Sequence, residues 1–139
     1  FDDDGMSLGS IRIVEAGKAV NYYGANRFGQ YLNVEKPSGN LRCAQVAPGT
    51  LPMADMKRQP CLDIVSMSGL QVDSFNDYIG GEIRLAYWHD GEIIRPVTGV
   101  SISGKLSDVL NHIRFSKDTA LNGNFHGPRK AVIEGMNIF

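Results

Sequence analysis

The segment from Gly81 to Val100 restricts the fold more than any other part of the sequence, because it has the pattern of a β-hairpin. From Ile83 to Trp88 two sets of side chains alternate, and successive residues of a strand point to opposite faces of a sheet. Asp90-Gly91 follows, a dipeptide that supplies the positive φ needed in a tight hairpin turn. The segment therefore predicts two antiparallel strands joined near Gly91.

Two helices are predicted. After the hairpin, apolar residues recur at i, i+3, i+4 and i+7, which places them on one stripe of an amphipathic helix. They are Leu106, Val109, Leu110 and Ile113. This spacing predicts one clear helix near 106–115. A short helix is also predicted near 25–32, although an interior glycine such as Gly29 costs about 1 kcal/mol relative to alanine.

The other segments predict short strands. Ile11–Val14 and Ala19–Tyr23 read as a second hairpin, residues 62–75 have strand character around Gly69, and a last strand at 131–138 is interrupted at Gly135. The strands come in runs and do not alternate with helices, which argues against a doubly wound α/β fold. We predict an α+β fold of predominantly antiparallel β-sheet, built of hairpins and sandwich- or barrel-like.

The segment from Lys36 to Pro60 is predicted to be mainly loop. It contains four prolines, which withhold backbone donors and bias the preceding residue toward extended geometry. Structureless loops of this length are uncommon in compact domains and often have a functional role. The loop either carries a binding site or crosses between two layers.

The composition indicates a single globular domain, 1–139. The net charge is −1, and no apolar run approaches the ~20 residues that span a bilayer. We therefore expect neither nucleic acid nor a membrane as a partner. Cys43 and Cys61 are too few for a disulfide scaffold and favour a reducing compartment, and whether the two pair is left open.

Six short motifs follow one another along most of the chain: Asp3–Gly5, Ile13–Lys18, Trp88–Ile93, Pro96–Val100, Ile102–Leu106 and Val132–Met136. In this order they resemble the C-terminal domain of the TldD/PmbA family, metallopeptidases also called modulators of DNA gyrase. Each motif alone is a generic turn or strand edge, so the order is the more specific signal. The resemblance implies that the chain is a segment of a longer protein.

The resemblance also implies a cytoplasmic protein that pairs with a homologous subunit, as a homo- or heterodimer, to cleave unfolded peptides. In the family, zinc is held by the histidines of a His-Glu-x-x-x-His helix and by a late cysteine of the C-terminal domain. This chain has no His-Glu-x-x-x-His and no cysteine after Cys61, so no catalytic residue is assigned. His126 lies at about the place of the late cysteine and is the candidate metal ligand. No cofactor is expected in this chain alone, and zinc is expected in the longer parent.

The other chemistry-bearing residues have simpler interpretations. We expect His89, in the hairpin turn, to be solvated, and His112 to flank the packed side of its helix. The acidic run Asp2–Asp4 lacks the spacing of a calcium-binding loop and is expected to be solvated.

Three functions follow from these observations. The first is a domain that lines the peptide cleft and the subunit interface of a TldD/PmbA-like metallopeptidase, binding unfolded peptide as an added strand. The chain alone is then not expected to hydrolyse peptides. The alternatives are a noncatalytic, metal-free scaffold subunit and a stand-alone β domain that binds a ligand under the proline-rich loop.

Overall fold

The computed structural model describes residues 1–35, 38–40, 42–57 and 60–139. By the contacts of the main chain it divides into two compact units. The first comprises Phe1–Gln45 and Asn122–His126, and the second Val46–Leu121 and Gly127–Phe139. The helices in the described ranges are α1 (Asn26–Tyr31) and α2 (Leu106–His112), and a 3-10 turn lies at Asp55–Lys57. The strands are β1 (Val14–Glu15), β2 (Lys18–Ala19), β3 (Ala44–Gln45), β4 (Cys61–Asp73), β5 (Tyr78–Asp90), β6 (Ile93–Val97), β7 (Val100–Lys105), β8 (Arg114–Phe115), β9 (Thr119–Asn122), β10 (Phe125–Pro128), β11 (Ala131–Val132) and β12 (Asn137–Ile138).

The first unit contains short elements. β1 and β2 form the predicted hairpin, which is shorter than expected. The chain reverses at Ala16 and Gly17, since both take positive φ. α1 confirms the predicted short helix near 25–32. The start of β10 pairs in parallel with β3, with His126 opposite Gln45.

The second unit is built on β5. Its 13 residues pair antiparallel with β4 along one side. On its other side the first half of β5 pairs with β7 and the second half with β6. The predicted hairpin at Gly91 is thereby confirmed, and Gly91 has a φ of 59°.

The main sheet is open. Its order is β12-β7-β5-β4, with β6 also on β5, and the strands at the two ends of this order do not pair with each other in the described part of the chain. A separate pair joins β8 and β11. The α+β class and its antiparallel sheet are confirmed, whereas the barrel-like closure that we considered is absent from these sheets.

The core of the second unit gathers on one face of the sheet. Ile83 and Ala86 are fully buried and Ile102 is nearly so, and partly buried apolar residues of β4 pack against them. Residues an odd number apart on a regular strand point to opposite faces. The pairing of β4 with β5 is irregular between Ile64 and Met67, which allows both Ile83 and Ala86 to join one cluster.

The predicted helix near 106–115 exists but is shorter. It ends at His112, because Ile113 takes extended dihedral angles and the chain continues into β8. Val109 is 4% exposed, whereas Leu110 is 65% exposed. At 100° per residue Val109 and Leu110 lie about equally far from the middle of the apolar stripe, on opposite sides, and the helix buries only the Val109 side.

One other sequence prediction needs correction. The segment 131–138 is not one interrupted strand: Gly135 has a φ of 79°, and β11 and β12 on either side of it join different sheets. The described part of the 36–60 segment is mainly loop, as predicted, and its regular elements are the short β3 and the 3-10 turn. For Lys36, Pro37, Leu41, Arg58 and Gln59 the prediction lies outside the described residues. In the ranges that the structure covers, no helix has the length and apolarity to cross a bilayer.

Candidate functional site

The outer edge of β4 can receive another chain. Among the described strands β4 pairs with β5 alone, so the other edge of a 13-residue strand is open. Val65, Leu70 and Val72 along this strand are 57%, 56% and 60% exposed. A long, exposed and apolar edge strand is a template on which a further strand can pair.

A groove of about 540 Å³ lies on one face of the same sheet and is lined by β4, β5, β7 and Phe139. We call it the sheet groove. Tyr78 is part of this lining, and at the nearby Gly80 an added Cβ would clash with the hydroxyl oxygen of Tyr78. The side chain of Tyr78 therefore lies across Gly80, and a larger residue at 80 would displace it.

A second polar site lies near the start of β4. The Asp63 side chain is 12% exposed, and its Oδ2 is 2.7 Å from Lys57 Nζ, while Lys130 Nζ donates to Oδ1. His89 Nε2 lies 3.8 Å from Oδ2. We call these four residues the Asp63 cluster. It ties the 3-10 turn, β4, β5 and the segment before β11 to one carboxylate.

The ion pairs of the Asp63 cluster stabilise the charged form of the Asp63 carboxylate. Burial disfavours the charged carboxylate, but hydrogen bonds from Lys130 and Lys57 outweigh it, so the pKa of Asp63 is lowered from 3.8. Cys61 lies two residues earlier on the same strand face. Burial and then the charge of Asp63 raise the pKa of its thiol above 9.0. A thiol that stays protonated is a poor nucleophile, so this group of residues does not support covalent catalysis.

His89 is not the solvated turn residue that the sequence predicted. The β4–β5 ladder continues to its end, where His89 lies opposite Cys61, and the turn begins only at Gly91. Its side chain is 12% exposed. The prediction failed because the strand uses residues that were assigned to the turn.

His126, the predicted metal ligand, lies exposed in β10. Within the ranges that the structure describes, no three His, Cys, Asp or Glu side chains come together as a metal site. The metal donors among the described residues therefore do not form a zinc site by themselves. Completion of a site at His126 by residues outside the chain stays a prediction.

The remaining histidine and the two thiols take no part in a described site. His112 is exposed, and its Nδ1–H donates to the Asp108 carbonyl at 2.8 Å, so the expected packing against the helix stripe is wrong. Cys43 and Cys61 are both free thiols, so the structure does not contain the disulfide that the sequence left open.

Asp2 departs from the expected solvated acidic run. It is 6% exposed: Oδ1 accepts hydrogen bonds from the amides of Asp4 and Met6, and Oδ2 accepts one from the amide of Asn40. The Asn40 bond, followed by the Met6 bond, lowers the pKa of the Asp2 carboxyl. Main-chain amides thus occupy both oxygens, which makes Asp2 a turn-closing residue.

One signal for the Asp63 cluster in the sequence was overlooked. Asp63 interrupts an otherwise apolar start of β4, and a carboxylate placed in such a strand needs a partner. The identity of the partner could not be foreseen, because Lys130 is 67 residues away.

Comparisons with known proteins agree with this architecture. A family model described as the PmbA/TldA metallopeptidase C-terminal domain matches residues 1–139. The crystal structure of a candidate modulator of a DNA gyrase from Thermotoga maritima is similar, with a TM-score of 0.79 at 18% sequence identity. The similarity covers 100% of this chain and 35% of that one, so the chain spans about a third of that protein's length. At this identity the likeness shows the fold alone. No curated protein sequence matches the chain.

Proposed function

This chain belongs to the PmbA/TldA metallopeptidase C-terminal domain family, and from that premise we propose that it lines the peptide cleft and the subunit interface of a larger protein that acts on unfolded or modified peptides. In this proposal the protein works in the cytoplasm together with a homologous subunit. The chain holds the peptide, and residues of the larger protein outside it provide the zinc and the general base.

The open edge of β4 is the observation that carries the proposal. A peptide that pairs with this edge is held by main-chain hydrogen bonds, which do not depend on its sequence. Such binding suits unfolded peptides, whose backbone groups are free to pair. The exposed Val65, Leu70 and Val72 add apolar contacts for the side chains of the bound strand.

Photocrosslinking tests this placement. With p-benzoylphenylalanine in place of Leu70, we expect a fluorescein-labelled unfolded peptide to crosslink to the chain. The matched control carries the same residue in place of Leu110, which is similarly exposed but lies on α2. Equal crosslinking at the two positions, or none at either, would contradict the proposed cleft.

The proposal also predicts the behaviour of the isolated chain toward zinc. We expect calorimetry to show no stoichiometric zinc binding in the submicromolar range, because three or four donors are needed and the described residues bring no such set together. Stoichiometric submicromolar binding that is abolished by His126→Ala would overturn this expectation.

A noncatalytic scaffold subunit is the second candidate function. It is favoured by the lack of a cysteine after Cys61, since His126 would have to replace that ligand. The sequence that precedes Phe1 in the intact protein distinguishes the two: a His-Glu-x-x-x-His motif favours the catalytic parent, and its absence favours the scaffold.

A further inference from the structure

The pairing of β4 with β5 determines the face on which each side chain near the open edge lies. Directly opposed residues of neighbouring strands share one face of a sheet, and so do residues two or four apart on a regular strand. Met67 lies opposite Ile83, and Val72 lies opposite Ile79. Ile79 and Ile83 are four residues apart on β5, so Met67 and Val72 lie on the face that is buried around Ile83.

A bulge at Gly69 brings Leu70 onto the same face. Gly69 has a φ of 66°, and the register of β4 with β5 shifts across it. A Cβ added at Gly81, midway between the two isoleucines of β5, would lie 3.1 Å from the Cα of Leu70. We call Met67, Leu70 and Val72 the apolar side of the β4 edge.

The intervening residues of β4 form the polar side of the edge. They lie opposite alternate residues of β5 and so share the other face, and they are Ser68, Gln71 and Asp73. The carboxylate of Asp73 accepts hydrogen bonds from the amides of Phe75 and Asn76 within its own turn. A strand beside Ser68 and Gln71 therefore meets polar groups that carry no charge.

The apolar side is largely open to solvent. Leu70 and Val72 are 56% and 60% exposed, although the face on which they lie is fully buried at Ile83. Met67, next along the strand, already packs against that core. A strand that pairs with β4 would place every second side chain over the apolar side, where burial is favourable, and the others over the polar side.

We propose that the open edge of β4 selects peptides in which apolar and uncharged polar residues alternate. This inference rests on the proposed function and narrows it: main-chain hydrogen bonds hold any extended peptide, and the two sides of the edge determine which sequences bind most tightly. The occupant is thus an unfolded segment that forms an amphipathic strand when it binds.

Fluorescence anisotropy with two labelled peptides of about ten residues and identical composition tests the inference. In one peptide valine and threonine alternate, and in the other they come in pairs, so that each face of the extended strand is half apolar. We expect the alternating peptide to bind this chain about tenfold more tightly, the size expected for three apolar cross-strand pairs. Leu70→Gln combined with Val72→Thr should reduce the difference to about twofold. The control Val14→Thr, at a similarly exposed position of β1, should keep it.

Gln71→Val gives an independent readout. It places an apolar group on the polar side, so it should strengthen binding of the paired peptide and leave that of the alternating peptide nearly unchanged. Circular dichroism will show whether the variants keep their sheet.

The outcomes separate this inference from the proposed function. If the unchanged chain binds both peptides equally, or if the double variant keeps the tenfold difference, this inference is wrong and the proposed function stands. If neither peptide binds, both are wrong. If sedimentation shows a dimer that the double variant dissociates, the edge belongs to a second copy of the chain, and the inference is wrong.

Discussion

Asp63→Asn is expected to lower the free energy of unfolding by about 2 kcal/mol at pH 7. The substitution keeps the size of the side chain but removes the charge that pairs with Lys57 and Lys130. Both ammonium groups are partly exposed and can return to water, which keeps the effect below that of breaking a fully buried pair. Urea unfolding followed by the fluorescence of Trp88, the single tryptophan, measures the change.

The pH dependence of this effect identifies its cause. The pKa of Asp63 is lowered in the folded state, so the unfolded chain binds the proton more readily. The stabilisation is therefore fully present above the unfolded pKa, near 3.8, and is lost as the pH falls through the folded pKa. The difference between Asp63→Asn and the unchanged chain should shrink under acid. Asp90→Asn, an exposed control at the hairpin turn, should change little, and a difference that is constant with pH would contradict the assignment.

Ile83→Ala is expected to cost about 3 kcal/mol, because the side chain is completely buried and its removal leaves a cavity. Ile83 packs with Ala86 and Ile102, and both β4 and β7 pair with β5 at this residue. The same urea experiment measures the loss. Val72→Ala, at an exposed position of β4, should stay within about 0.5 kcal/mol. A loss below about 1 kcal/mol at Ile83 would mean that the core lies elsewhere.

Local sequence patterns predicted those turns and helices that neighbouring residues in the sequence determine. Asp90-Gly91 defines its hairpin because few residues accept a positive φ, and the spacing of Leu106 and Val109 defines a helix because both lie on one stripe. The end of that helix was not predictable from the stripe, since Ile113 would fit either a further helical turn or the extended chain that the structure shows.

Features that depend on distant residues were not predictable. The split of 131–138 into two strands follows from their different partners, β8 and β7, and no pattern within the segment specifies them. The burial of Asp2 depends on Asn40, which is 38 residues away. In both cases a long-range contact selects one of the conformations that the local sequence allows. His89 was misassigned for a local reason: the turn at Gly91 is tight enough for the hairpin ladder to include His89, opposite Ile94.

The central position of β5 also bears on how the second unit forms. β4 and β5 are joined by the short turn at 74–77, and β6 and β7 follow directly along the chain, so most of the sheet can assemble from neighbouring segments as they leave the ribosome. β12 and Lys130 come from the far end of the chain. Until they are synthesised, the sheet lacks its β12 edge strand and Asp63 lacks one of its two ammonium partners, so the segment from Lys130 to β12 completes both.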